Sequence, residues 1–218
     1  MDDYLSEKEQ LEQIRDWFRE YGWYLFGGVV LGAALLFGRS QWDDYRASQA
    51  GSASAIFQQL RQAIADDADA DAVTYLEQLR TEYPSSPYTD QAGLVMVLMY
   101  LQNGSTRQAI ETVQYTLENT SDEYLAMVAR TRLARLLISA GRDEEAMTVL
   151  DEVEPGSFAA RFSELRGDIY FARGDHASAR VAWREALNSE QSDLVDRALI
   201  QMKIDDLPPE VTLEGDAG

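Results

Sequence analysis

Apolar and polar residues divide the chain into one uncharged apolar run and a long remainder in which apolar residues recur at helical spacing. The run, from Gly22 to Gly38, contains no charged residue. A helix rises about 1.5 Å per residue and the hydrocarbon core of a bilayer is about 30 Å thick, so residues 22–42 are long enough to cross it. Tryptophan and tyrosine flank both ends, as is typical of membrane interfaces. The pattern predicts a single transmembrane helix over residues 22–42.

Two other interpretations of the run are a buried helix of a soluble domain and a cleaved signal peptide. The run contains five glycines, which weaken a soluble helix but are common in membrane spans. The segment before it is long and acid-rich, and no small-residue cleavage pattern follows Phe37. Both features favour an uncleaved signal anchor.

Two weaker patterns accompany the span. Residues 1–21 carry apolar side chains at helical spacing, which indicates an amphipathic segment that either lies on the membrane surface or extends the anchor helix. Extension is the simpler interpretation. Gly28 and Gly32 have the small-xxx-small spacing that lets transmembrane helices pack closely, so we expect them to be packing positions. Homo-oligomerisation through them stays open.

Charge does not fix the orientation of the span. Within about 20 residues, Lys and Arg number three before it and two after it, Arg39 and Arg46, and this difference is too small for the positive-inside rule. The chain has no cysteine, which excludes disulfides and thiolate chemistry but suits either compartment.

The remainder of the chain is acidic and has the composition of a helical protein. Ala, Leu, Glu, Gln and Arg are abundant, and the β-branched alternation typical of strands is largely missing, so the fold class predicted is all-α. The net charge is −19. A nucleic-acid partner is therefore excluded, because binding the phosphate backbone requires a basic surface.

An internal repeat organises this helical part. A glycine followed five residues later by alanine occurs at Gly104, Gly141 and Gly174, with spacings of 37 and 33 residues. Tetratricopeptide repeats have a period of 34 residues and consist of two antiparallel helices with small residues where the backbones meet. We assign the extra residues of the longer spacing to the polar connector 118–123.

Another helix pair precedes these three units, over residues 53–65 and 72–83, and Pro84 closes it. Three to four pairs suffice for a stacked α-solenoid. The predicted organisation is an amphipathic segment (1–21), a transmembrane helix (22–42), a tetratricopeptide-like helical domain (43–207) and a disordered acidic tail (208–218).

The sequence contains no recognisable catalytic, cofactor-binding or metal-binding constellation. Its single histidine, His176, follows Asp175 at a helix start, where an exposed residue capped by Asp175 is the simpler interpretation. Acidic pairs such as Glu144-Glu145 suit helix starts because of the helix dipole. We predict a protein that is not an enzyme and needs no cofactor.

A binding surface is the remaining candidate site. In a tetratricopeptide array, the first helix of each pair lines the concave side, and the repeat offsets select the same positions in each unit. An open apolar groove there would suit unfolded segments or a partner helix; coverage by the preceding helix pair is the equally weighted alternative. The groove positions predicted are Leu94, Leu98, Leu101, Val128, Thr131, Arg135, Ile138 and Phe171, with Glu164 and Asp168.

Several short segments together resemble one bacterial family. They are the acidic amphipathic start, Val30-Leu-Gly32 in the span, Arg132-Leu-Ala-Arg135, Leu165-Arg-Gly-Asp168, Ala179-Arg-Val-Ala-Trp183 and Gln201-Met-Lys-Ile204. The chain resembles the YfgM family, ancillary subunits of the SecYEG translocon, up to Leu207. The acidic tail from Pro208 departs from that pattern.

The resemblance implies a single-pass protein of the bacterial inner membrane, with a cytoplasmic N terminus and a periplasmic domain. It implies association with SecYEG, with the membrane-anchored chaperone PpiD, and with unfolded or nascent client proteins. The alternative hypothesis is a membrane-tethered adaptor or regulator that acts through protein contacts unrelated to translocation.

Overall fold

The computed structural model describes the backbone of residues 7–209 and most side chains from residue 15 onward, leaving out those of residues 25, 29, 40 and 42–46. The predicted acidic tail lies outside this range except for Pro208 and Pro209. The described part of the chain is all-α, as predicted. Its helices are α1 (Glu7–Ala65), α2 (Asp69–Glu82), α3 (Pro87–Gln102), α4 (Thr106–Asn119), α5 (Glu123–Ser139), α6 (Asp143–Asp151), α7 (Ala159–Ala172), α8 (His176–Asn188) and α9 (Arg197–Asp205).

The chain forms two compact units, Met1–Ser52 and Ala53–Gly218. The first unit holds the earlier part of α1. Within it, the segment Arg15–Arg39 contains a stretch apolar and long enough to cross a membrane, and none of that stretch is buried in the protein. The amphipathic stretch before the apolar run belongs to the same helix, which is the extension that the sequence favoured. The limits 22–42 for the span itself stay a prediction.

The second unit contains four helix pairs that turn in the same way. Gly104, Gly141 and Gly174 adopt φ values of 69, 70 and 77°, in the left-handed region that glycine enters without steric cost. In each turn the amide after the glycine donates to the carbonyl five residues earlier, at 2.7, 2.9 and 2.9 Å. This is the Schellman arrangement that satisfies carbonyls at a helix end. The predicted repeat is thus confirmed by its backbone geometry.

The first pair, formed by the end of α1 and α2, uses aspartate in place of the glycine. Asp67 has φ 56°, and the amide of Ala68 donates to the Ala63 carbonyl at 2.8 Å. Asp67 precedes Gly104 by 37 residues, so it occupies the repeat position. The alanine five residues later, Ala72, is fully buried, as are the three alanines at the same offset in the other units.

The unequal spacing of the turns comes from helix length and not from the connector 118–123, so that assignment was wrong. Only residues 120–122 separate α4 from α5. Instead, α6 and α7 have 9 and 14 residues where α4 and α5 have 14 and 17, and the longer connection from α6 to α7 makes up only part of this difference. Pro155 in that connection lacks an amide hydrogen and disfavours helical geometry at the residue before it, so α6 cannot continue.

Apolar side chains of the second unit form two clusters. The larger runs from Ala53 through α2 to α6 and ends on α7 at Ile169. The smaller joins α7 and α8 to α9, whose Ile200 and Ile204 are buried. The last helix therefore covers the apolar face that the final pair would otherwise expose, as terminal elements of repeat proteins do.

Candidate protein-binding site

The predicted groove positions all lie on the first helices of their pairs. Leu94, Leu98 and Leu101 belong to α3, the next four to α5, and Phe171 to α7. The structure therefore places each residue on the element that the repeat offsets selected. Burial then separates residues that can meet a partner from residues that belong to the core.

Three of the predicted positions are clearly exposed apolar side chains. Leu98 is 64% exposed, Phe171 is 50% exposed and Leu101 is 39% exposed. Contiguous exposed apolar area commonly marks an interaction site. These three side chains are therefore the accessible apolar part of the candidate surface.

Leu94 and Thr131 are buried and belong to the interior instead. Arg132 of α5 donates a hydrogen bond to the backbone carbonyl of Leu94 at 3.2 Å, so the following pair approaches α3 at this level. The Thr131 hydroxyl donates to the Val128 carbonyl in its own helix at 3.0 Å. Neither side chain is placed to contact a partner without movement of the helices.

The middle of the candidate surface is partly covered and polar. Val128 and Ile138 are half-buried and pack against the larger core cluster. Arg135 is exposed, and its guanidinium lies 3.9 Å from the carboxylate of Glu164 on α7. Glu164 is buried and also forms an ion pair with Arg161 at 2.5 Å. Since burying a carboxylate requires such partners, Glu164 is a structural link between α5 and α7.

Asp168, the remaining predicted position, joins the last helix pair to α9. Its Oδ1 accepts a hydrogen bond from Trp183 Nε1 at 3.0 Å and lies 2.6 Å from Lys203 Nζ. The Lys203 ammonium also lies 5.5 Å from the centroid of the Trp183 ring, within the range of a cation–π contact. The sequence did not single out Lys203, because only the packing of α9 brings it to this point.

His176 is the first residue of α8 and is half-buried beside Phe171, with ring centroids 5.6 Å apart. Asp175 caps this helix, as expected, because its carboxylate accepts from the Ser178 amide at 3.0 Å. The pKa of Asp175 lies below its usual value, mainly because the Ser178 side chain hydrogen-bonds to the carboxylate and next because the Ser178 amide does. Among the described residues, no cluster of three or more acidic or histidine side chains is placed to hold a metal ion.

Gly28 and Gly32 lie in the first unit, within the apolar part of α1. A Cβ built on either glycine meets no atom within 4 Å. Both positions are open to an approaching helix, and their role in transmembrane packing stays a prediction.

Sequence reasoning missed exposed apolar side chains that are not among the predicted groove positions. Val181 on α8 is 65% exposed, and Met202 on α9 and Tyr124 at the start of α5 are also exposed. Their periodicity does not distinguish them from core residues. The proline and glycine at 155–156 were the available signal that α6 ends early beside Tyr124.

Comparison with known proteins places the whole chain in one group. Residues 15–209 match the family described as tetratricopeptide repeat-like domain. The chain is 30% identical to the ancillary SecYEG translocon subunit of Escherichia coli over 95% of this chain and 99% of that protein. It is 26% identical to proteins of the same name from Haemophilus influenzae, over 93% and 98% of the two chains, and from Neisseria gonorrhoeae, over 94% and 98%. No solved structure matches it significantly.

Proposed function

Because this chain belongs to the family of ancillary SecYEG translocon subunits, we propose that it is a non-enzymatic accessory subunit of the translocon. In this proposal, a single span in the inner membrane holds the tetratricopeptide-like domain on the periplasmic side, with the N terminus in the cytoplasm. The domain binds the chaperone PpiD, emerging client proteins, or both.

The exposed leucines on α3 carry this proposal. Leu98 and Leu101 are one helical turn apart on the same helix, and both remain exposed in the folded domain. A water-exposed leucine gains free energy when a partner buries it, about 1.5–3 kcal/mol for full burial. Phe171 presents a third apolar side chain on the first helix of the last pair. An apolar surface on a scaffold without recognisable catalytic groups favours binding over chemistry.

The apolar segment of α1 supports the membrane part of the proposal. Confining a binding domain to the membrane beside the translocon raises its effective concentration for any chain that emerges there. A modest affinity then suffices to capture a segment before it diffuses away.

A single charged substitution on the exposed face tests the assignment. We expect Leu98→Glu to reduce site-specific crosslinking of the full-length protein to PpiD and to emerging chains about tenfold, since an interface leucine contributes more than 1 kcal/mol. Leu98 is the best choice because it is the most exposed of the groove positions, whereas Ile138 packs against the core.

Val181→Glu is the matched control. It introduces the same charge at an apolar residue of nearly equal exposure, on the second helix of a pair. It should leave crosslinking unchanged, and the helical circular dichroism of both variants should match that of the parent. Equal crosslinking by Leu98→Glu and the parent protein would reject the α3 surface as the binding site.

A further inference from the structure

A cavity lies at the start of α5, beside the groove positions predicted on that helix. It has a volume of about 510 Å³ and lies between the first two turns of α5 and the connection from α6 to α7. Volumes of about 300–1,000 Å³ are usual for sites that enclose a ligand or a side chain. The first helices of the other pairs contribute nothing to this cavity.

The early end of α6 creates the space. In the first, second and fourth pairs, the second helix continues 14 or 15 residues beyond the turn position, to Glu82, Asn119 and Asn188. α6 ends at Asp151, only 10 residues after Gly141. Instead, Pro155 leads into a short 3-10 helix, Gly156–Phe158, whose first residue Gly156 has φ 49°. The start of α5 is therefore uncovered on one side.

Apolar groups form the wall of this cavity. The Tyr124 ring lies 5.4 Å from the buried Phe158 ring, centroid to centroid, and is itself 65% exposed. Met127 and Val153 line the same cavity and are half-buried. An exposed aromatic ring that another ring supports offers a preorganised contact for an apolar side chain or a cation.

The rim of the cavity is acidic. Glu123 and Glu154 line it and are exposed, and neither takes part in an ion pair within the described part of the chain. The one cation of the lining, Arg130, donates to the Val149 carbonyl at 2.6 Å and to Glu152 at 2.7 Å. Its charge is already compensated. Apolar walls with an acidic rim complement an apolar side chain flanked by basic residues.

We propose that this cavity is a second polypeptide-binding site, which takes an extended segment with an apolar side chain next to lysine or arginine. The apolar side chain enters between Tyr124 and Val153, and the basic residue pairs with Glu123 or Glu154. This inference rests on the proposed function only in taking the domain to bind polypeptide. It adds a distinct site and the chemistry of the segment.

Binding of two matched peptides to the full-length protein in detergent tests the site. The first is a short dye-labelled peptide with a central leucine-phenylalanine pair flanked by arginines, and the second has glutamates in place of the arginines. Fluorescence anisotropy should show binding of the basic peptide and at least about tenfold weaker binding of the acidic one. High salt should weaken the binding of the basic peptide.

Two variants locate the binding. Tyr124→Ala should weaken binding of the basic peptide about tenfold, because truncating an aromatic anchor removes most of its contribution to the affinity. The double variant Glu123→Gln with Glu154→Gln changes only exposed carboxylates, so it should stay folded. It should weaken binding of the basic peptide severalfold. Glu111→Gln, an exposed carboxylate on α4, is the control and should bind as the parent does.

The Leu98→Glu variant separates this site from the one proposed on α3. It should bind the basic peptide normally while losing the crosslinks described above. Unchanged affinity of both cavity variants for the basic peptide, or equal affinity of the parent for the two peptides, would overturn the second site. Neither result would contradict the site proposed on α3. Loss of peptide binding in Leu98→Glu alone would assign the peptide to α3 and also overturn the cavity.

Discussion

Gly167 shows how one residue sets the distance between two helices. A Cβ at this position on α7 would lie 2.3 Å from Cδ1 and 2.4 Å from Nε1 of Trp183 on α8. The Trp183 ring is almost fully buried and is held by its hydrogen bond to Asp168. Any side chain at position 167 would therefore push α7 and α8 apart.

We expect Gly167→Ala to lower the free energy of unfolding by about 1–3 kcal/mol, the usual cost of an extra carbon in a filled interior. The added methyl group should displace the Trp183 ring and strain its hydrogen bond to Asp168, which would shift the tryptophan emission. Urea unfolding of the full-length protein, followed by circular dichroism, measures the change.

Gly51→Ala is the control for that substitution. Gly51 also lies within a helix, but nothing lies within 4 Å of a Cβ built there. Helix propensity alone should then keep stability the same or raise it by up to about 1 kcal/mol. Equal stability of Gly167→Ala and the parent would mean that the Trp183 ring moves aside without cost.

At the scale of elements, the turn between α1 and α2 shows why the glycine-alanine pattern does not include the first helix pair, which only its apolar spacing predicted. Asp67 adopts the same left-handed geometry as the three turn glycines, which a non-glycine residue enters at a cost of about 1–2 kcal/mol. Aspartate tolerates it better than most residues. A search for glycine therefore found three turns, while the backbone contains four.

Substitutions at two of these turns test the cost of left-handed backbone geometry at a residue other than glycine. Asp67→Gly should raise the free energy of unfolding by up to about 1 kcal/mol, because strain is removed while some chain entropy is added. Gly141→Asp should lower it by about 1 kcal/mol or more by the same reasoning. No atom within 4 Å obstructs a Cβ at Gly141, so this loss would come from the backbone alone. Midpoints of thermal unfolding report both changes, and a shift of both variants in the same direction would contradict the backbone explanation.

At the scale of the whole molecule, the side of the membrane that the helical domain occupies is the main question for function. The flanking charges of the span are nearly balanced, so the expectation of a periplasmic domain comes from the family resemblance. The strongly acidic character of the chain also keeps the domain soluble at high local concentration.

We expect protease added to spheroplasts to digest the domain from Ala53 onward, while a tag at the N terminus remains protected until the membrane is dissolved. A periplasmic protein and a cytoplasmic protein in the same cells are the controls for access and for membrane integrity. Protection of the domain together with digestion of the tag would reverse the orientation and reject the proposed function.

The sequence by itself determined the elements of this protein. Helical periodicity, glycine turns and small residues at fixed offsets are local properties, so they identified the apolar span, the helix pairs and the first-helix positions. The resemblance of short segments identified the family, which the comparisons confirm. The early end of α6 could also be predicted from the sequence, because proline at position 155 prevents the helix from continuing. The longer repeat spacing was attributed to a connector instead.

Only the tertiary structure decided which of those positions are open. Leu94, Leu98 and Leu101 are the same residue type on one helix at helical spacing, yet Leu94 is buried while Leu98 is largely exposed. At the level of Leu94, Arg132 of α5, distant in sequence, reaches the α3 backbone, whereas no neighbouring helix covers most of the Leu98 side chain. The cavity beside Tyr124 exists for a related reason, since a helix that ends early leaves its neighbour uncovered. Exposure depends on which distant segments pack together, and periodicity along one helix carries no information about that.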